Sequence, residues 1–134
     1  MIGELEEFVS ASRVCHRAEE LEALFADLTT VDAKGRRDTE DKIWSIWCDH
    51  PAAAARDMMA VGIGALSDGQ LSQARVIFDR LVSNYPEWAE AWNKRATVLF
   101  LLSMDAESVA DIRYTLRLEP RHFGALGGLA QIAL

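Results

Sequence analysis

The stretch AEAWNKRA, Ala89–Ala96, decides the fold, because its pattern recurs at a spacing of 34 residues in both directions. Upstream the chain reads ARDMMAVG over Ala55–Gly62, and downstream it reads FGALGGLA over Phe123–Ala130. In each copy a large apolar residue is followed four positions later by alanine or glycine. A fixed period of this length is typical of stacked helical hairpins, each of which covers the apolar face of its neighbour. We therefore expect a neighbouring backbone to approach closely at the small positions.

Each of the two full copies has the pattern of two helices with a proline at the end. In residues 55–88 the turn signal SDGQLS separates two sets of apolar residues at helical spacing, and Gly69 suits the left-handed position after a helix. Residues 89–122 repeat this plan, and Pro120 lies 34 residues after Pro86. Residues 123–134 then hold only the first helix of a third copy. Because Gly127 and Gly128 each cost about 1 kcal/mol in a helix interior, we expect this last helix to fray.

These positions together resemble the tetratricopeptide repeat (TPR) family over residues 55–134. The positions that carry the resemblance are a large residue, two small residues and a proline: Trp92, Ala96, Ser108 and Pro120 in one copy, and Met58, Gly62, Ala74 and Pro86 in the other. Ser108 and Thr115 depart mildly from the small apolar residues of the family. The resemblance implies an all-α fold, a right-handed superhelical array of antiparallel helical hairpins, or TPR-like α-solenoid.

Residues 1–54 are less regular and predict a helical cap or a degenerate repeat. Apolar residues from Leu5 to Leu28 predict a long amphipathic helix that ends near Thr29. The stretch VDAKGRRD, residues 31–38, is interpreted as a polar turn, and a second helix is predicted from about Thr39 to residues 49–51. Such a pair would cover the exposed end of a short array.

The composition of the chain limits the classes of partner that it is expected to bind. The 134 residues carry a net charge of −7, which repels a phosphate backbone and disfavours nucleic acid, including an RNA-reading helical repeat. No apolar run approaches the about 18 residues that a membrane span requires. The first residues lack the positive charge of a secretory signal, so a cytoplasmic location is favoured.

One pair of short motifs, Cys15-His16 and Cys48-x-His50, admits three interpretations. A zinc site is disfavoured, because adjacent residues of a helix point about 100° apart and do not readily chelate one ion. A disulfide between Cys15 and Cys48 is open in an oxidising compartment, and inert thiols are favoured. No nucleophile–base order and no phosphate-binding glycine loop is visible, so we expect no catalysis, no metal and no cofactor.

The family resemblance also implies a concave groove formed by the first helix of each repeat. The residues predicted to face it are Arg56, Met59, Ile63, Glu90, Asn93, Lys94, Thr97 and Phe100, followed by Gly124, Gly127, Gly128 and Gln131. Chaperone-adaptor members clamp a carboxylate with lysines and asparagines from successive repeats, and here Met59, Ile63, Gly124 and Gly128 replace part of that set. A chaperone-adaptor role is therefore disfavoured.

Two functions follow from this groove and from the array ends. The leading hypothesis is a non-catalytic module that binds a peptide or partner segment in the groove. The alternative is a structural or assembly subunit that forms a homo- or hetero-oligomer through the last helix, by way of Leu126, Leu129 and Ile132. A third possibility is that the groove is merely solvated or is filled by the N-terminal helix of the chain itself.

Overall fold

The computed structural model describes residues 17–133, and the predicted all-α class is confirmed over this range. Its seven helices pack as sequential antiparallel pairs, as expected of a TPR-like array. They are α1 (Ala18–Leu28), α2 (Ala33–Trp47), α3 (Ala53–Ser67), α4 (Leu71–Asn84), α5 (Ala89–Leu101), α6 (Asp105–Leu118) and α7 (Phe123–Ala133). The chain divides into two compact units after Pro51, and each is described by itself. None of these helices is long and apolar enough to span a membrane.

The first unit contains the hairpin of α1 and α2. Its buried residues include Leu21 and Ile43. The ring centroids of Phe25 and Trp47 lie 6.0 Å apart. The prediction of a polar turn over residues 31–38 is wrong, because α2 already begins at Ala33. Its first turn is capped by Asp32, whose carboxylate accepts a hydrogen bond of 2.8 Å from the Gly35 amide. The part of the predicted first helix that precedes Arg17 lies outside the described residues.

The second unit stacks two hairpins and one further helix. The first hairpin is α3–α4, the second is α5–α6, and α7 packs against both α5 and α6. Helices α3, α5 and α7 contact one another in order and form the inner layer, while α4 and α6 form the outer layer. The core of the first hairpin includes Met59, Phe78 and Leu81, and Val98 of α5 joins it. Ala96, Ile112 and Ala125 form a second buried cluster between α5, α6 and α7.

The small positions of the repeat are explained by different neighbours. At Gly62 an added Cβ would lie 2.8 Å from the Phe78 ring, so a side chain, and not the expected backbone, occupies the space. At Ala96 the backbone carbonyl accepts a hydrogen bond of 2.7 Å from the Ser108 hydroxyl. Ser108 therefore replaces the family's small apolar residue with a buried, satisfied bond between α5 and α6.

The turns within the two hairpins share one conformation. Gly69 has φ of 75°, which confirms the left-handed position predicted for it. Ser103 occupies the same place 34 residues later and has φ of 62°, although serine is strained there. Between the hairpins the Pro86 carbonyl accepts a bond of 2.9 Å from the Trp92 indole, whose ring stacks on Tyr114 at 4.1 Å. Trp92 is half-buried and packs against the core of the first hairpin.

Candidate functional site

An open cleft of about 80 Å³ lies between α5, α6 and α7, and we call it the inner cleft. Six residues predicted to face the groove line it: Asn93, Thr97, Phe100, Gly124, Gly128 and Gln131. Its floor is formed by residues of the second buried cluster, Ala96 and Ile112, together with Ile132. The structure therefore brings three α5 side chains and one face of α7 together around a single opening.

Helical spacing explains this grouping. Asn93, Thr97 and Phe100 stand four and then three residues apart, which places them on one face of α5. Gly124, Gly128 and Gln131 have the same spacing on α7, so the two faces meet where the helices stack. Two of these α7 positions carry no side chain, and the cleft stays open for that reason.

The three groove residues predicted on α3 do not reach the inner cleft. Met59 is only 2% exposed and belongs to the core of the first hairpin, which differs from its predicted place on the groove surface. Its long apolar side chain gains more by burial beside Phe78 than by exposure. Ile63 is half-buried against the same core, and Arg56 is exposed.

Glu90 also departs from the predicted groove surface, because its carboxylate is completely buried. Its Oε1 lies 2.9 Å from the Lys94 ammonium and accepts a bond of 3.2 Å from the Asn93 amide. Its Oε2 lies 2.6 Å from Nε2 of His122. Burial acts to raise the pKa of Glu90, but the His122 bond and the Lys94 charge outweigh it and hold the pKa below its ordinary value. Glu90 thus links α5 to the start of α7.

His122 is the residue of this network that the repeat pattern did not identify. It directly precedes α7 and is fully buried, and its Nδ1 accepts a bond of 3.1 Å from the Ala125 amide. The available signal was the pairing of an acid in the first turn of one inner helix with a histidine just before the next inner helix. Stacked inner helices bring those two positions together.

On the outer side, Arg95 joins three helices. Its Nε and one terminal nitrogen bond both carboxylate oxygens of Asp111 at 2.7 and 2.9 Å, and its other terminal nitrogen lies 3.2 Å from Asp79. The guanidinium carbon also lies 5.0 Å from the centre of the Trp92 ring. The bonds to Asp111, followed by those to Asp79, raise the pKa of Arg95 despite its partial burial. This bidentate arrangement ties α4 and α6 to α5.

Comparison with known proteins agrees with this geometry. A TPR repeat-containing protein of Rhizobium etli is 36% identical over 86 residues, which cover 64% of this chain and 42% of the relative. Over these 86 residues the chain is similar to a protein that contains TPR repeats. The resemblance drawn from the 34-residue period is thereby confirmed. No family model and no solved structure matches the chain.

The chain spans 42% of the length of that relative.

The three residues predicted to mediate association, Leu126, Leu129 and Ile132, lie on α7. Leu126 is 50% exposed there, whereas Leu129 and Ile132 are half-buried against Ala96, Ile112 and Ala125. Of the three, Leu126 is thus the one whose side chain faces outward.

The cysteine–histidine motifs lie only partly within the described residues. Cys15 and His16 lie outside the described residues, and Cys48 is half-buried. Within residues 17–133 no group of three histidine, cysteine, aspartate or glutamate residues is placed to hold a metal ion.

Proposed function

We propose that this chain is a non-catalytic protein-interaction module that holds an extended segment of a partner protein in the inner cleft. The similarity to a TPR repeat-containing protein supports an interaction role in general. The convergence of predicted groove residues from α5 and α7 around one opening is the observation that carries the proposal.

The chemistry of the inner cleft suits a peptide backbone. A carboxylate can only accept hydrogen bonds, so the Asn93 NH₂ group is directed to Glu90, and its amide oxygen is the atom left to receive a peptide N–H. Thr97 and Gln131 are exposed polar side chains on opposite walls of the cleft. The glycines on α7 allow close approach of a second chain.

The floor of the inner cleft suits an apolar anchor. Phe100 and Ile132 are half-buried, and Ile112 lies beneath them. A cavity of about 80 Å³ is roughly half the size of an engineered cavity that binds benzene, so it suits an aliphatic side chain more than an aromatic one. Affinity would then come from one or two anchors and a few polar bonds.

Selection from a displayed library of random peptides on the immobilised protein tests the proposal. The selected peptides are then titrated against the Thr97→Glu, Gln131→Glu variant, which charges both walls of the cleft. The matched control is Gln73→Glu, Ser83→Glu, which adds the same charge at exposed positions of α4. We expect a loss of at least about tenfold in affinity for the cleft variant and none for the control. Equal binding by both variants would place the binding surface elsewhere.

A second candidate function is assembly through the last helix, and the half-exposed Leu126 supports it. Sedimentation equilibrium at several concentrations tests this function, with Leu126→Glu as the variant expected to dissociate an oligomer. A strict monomer at high protein concentration removes this candidate.

A further inference from the structure

Both ring nitrogens of the buried His122 are used in hydrogen bonds. Nδ1 faces the Ala125 backbone amide at 3.1 Å, and Nε2 faces the Glu90 carboxylate at 2.6 Å. An amide N–H can only donate, so Nδ1 accepts and carries no proton. A carboxylate held by Lys94 accepts, so Nε2 carries the proton and donates it. The hydrogen-bond network therefore assigns a neutral imidazole protonated at Nε2.

The bond to Nδ1 caps the N-terminus of α7. His122 stands at the position before Phe123, and Ala125 is the third residue of the helix, which is the amide that an N-capping side chain receives. Helix α7 has 11 residues and includes Gly124, Gly127 and Gly128. A short helix with three glycines has little stability of its own. Its position therefore depends on the cap and on packing against α5 and α6.

A second proton on His122 conflicts with this cap. The Nδ1–H group would face the Ala125 N–H, so two donors would meet where one bond existed. The imidazolium would also lie at the positive end of the helix dipole of α7. Both effects oppose the folded position of α7.

The charges around the ring reinforce this conflict. Glu90 of α5 already has Lys94 at 2.9 Å, so one more cation gives the buried Glu90 and His122, together with the partly buried Lys94, a net positive charge. In the connection before α7, Glu119 is paired with Arg121 at 3.2 Å. On α6, the Asp111 carboxylate is held by Arg95. The Asp111 and Glu119 carboxylates are thus each already paired with a cation.

We propose that His122 is a proton-sensitive lock on α7: the neutral ring caps the helix and holds it against α5, and the charged ring releases it. Release would remove one wall of the inner cleft, since Gly124, Gly128 and Gln131 lie on α7. The lock is a property of the fold and does not depend on the proposed peptide binding.

Amide hydrogen exchange of the full chain, followed by NMR at pH 7.5 and pH 5.5, tests the lock after correction for intrinsic exchange rates. In the wild type we expect the protection of Ala125 and Leu126 to fall at least about tenfold at the lower pH. Protection of the buried α4 residues Phe78 and Leu81 is expected to stay constant. Asparagine caps helices but does not titrate, so His122→Asn is expected to keep α7 protected at both pH values. His50→Asn removes another buried histidine and is expected to keep the wild-type response.

Two results would overturn the lock: constant α7 protection in the wild type, or the same fall in His122→Asn. Should that variant fail to fold, the ring-nitrogen signals of wild-type His122 decide the matter. We expect the signals of a doubly protonated ring only from molecules in which α7 has lost its protection. A ring that becomes charged while α7 stays protected contradicts the proposal. Failure of peptide binding at pH 7.5 would bear on the proposed function alone.

Discussion

Gly62 of α3 lies directly against the Phe78 ring of α4. A Cβ at position 62 would be 2.8 Å from the ring Cζ and 3.0 Å from a methyl carbon of Ile77. Phe78 is fully buried in the core of the first hairpin, so its ring cannot move aside freely. The glycine is thus required by a side chain of the partner helix, and its cost in helix propensity is offset by that packing.

We predict that Gly62→Ala lowers the free energy of unfolding by about 1–2 kcal/mol. Overpacking costs about 1–3 kcal/mol, and the better helix propensity of alanine returns up to about 1 kcal/mol. Gly64→Ala is the matched control in the same helix, because a Cβ there meets nothing within 4 Å. The free energy of unfolding of this control, measured by urea denaturation, is expected to rise by about 0.5–1 kcal/mol. Equal changes in the free energy of unfolding of the two variants would show that the Phe78 ring moves aside to accommodate the new Cβ.

The left-handed turn residues provide a second matched pair. Ser103 has φ of 62°, and glycine adopts this conformation without strain, so Ser103→Gly is expected to raise the free energy of unfolding by up to about 1 kcal/mol. Gly69→Ala is expected to lower it by about 1–2 kcal/mol, although no atom would contact the new Cβ within 4 Å. Urea denaturation of both variants checks the signs. A destabilising Ser103→Gly would mean that its hydroxyl contributes more than its backbone strain costs.

The helical hairpins were predictable because their determinants are local and repeated. The 34-residue period, Gly69 and the prolines mark the helix pairs without knowledge of any long-range contact. The sequence pattern does not locate the start of α2, although Asp32 is a favoured N-cap residue, because the charged stretch after it has the composition of a turn. Local sequence patterns therefore predict which helices exist better than the residues at which the helices begin and end.

The candidate site was only partly predictable, because burial depends on residues far apart in the chain. Helical spacing placed Asn93, Thr97 and Phe100 on one face, and the structure gathers them in the inner cleft. The same spacing placed Glu90 on the groove surface, yet the imidazole of His122, 32 residues later, covers its carboxylate. A periodic pattern identifies a face but not the neighbour that covers it.

The ion pair of Arg95 with Asp111 is predicted to be far stronger than its pair with Asp79. Arg95→Leu would leave the buried Asp111 carboxylate without its bidentate partner. This substitution is expected to lower the free energy of unfolding by about 3–5 kcal/mol. A double-mutant cycle with Asp111→Asn measures this coupling. The control cycle uses Asp79→Asn, whose side chain is 47% exposed, and is expected to give less than about 1 kcal/mol. Similar couplings in the two cycles would contradict the difference in burial.

The lowered pKa of Glu90 predicts a loss of stability in acid. The folded chain binds the proton of Glu90 less tightly than the unfolded chain, in which the pKa is about 4.3. The stabilising effect is therefore complete above that value and is lost as the pH falls through the lower folded-state pKa. Urea unfolding from pH 6 to pH 3 is expected to show a steeper loss for the wild type than for Glu90→Gln. Glu107→Gln, at an exposed position, is expected to keep the wild-type slope.

The glycines of α7 distinguish helix stability from the shape of the inner cleft. Gly127 is exposed and a Cβ there meets nothing within 4 Å, whereas Gly128 lines the cleft and a Cβ there would lie 3.5 Å from Ile112. Either alanine is expected to stabilise α7 by about 0.5–1 kcal/mol, which hydrogen exchange of the helix amides measures. Only Gly128→Ala narrows the inner cleft. Only this variant is therefore expected to bind the library-selected peptides with lower affinity. Weaker binding by Gly127→Ala as well would mean that the partner requires a mobile α7 and not an open cleft.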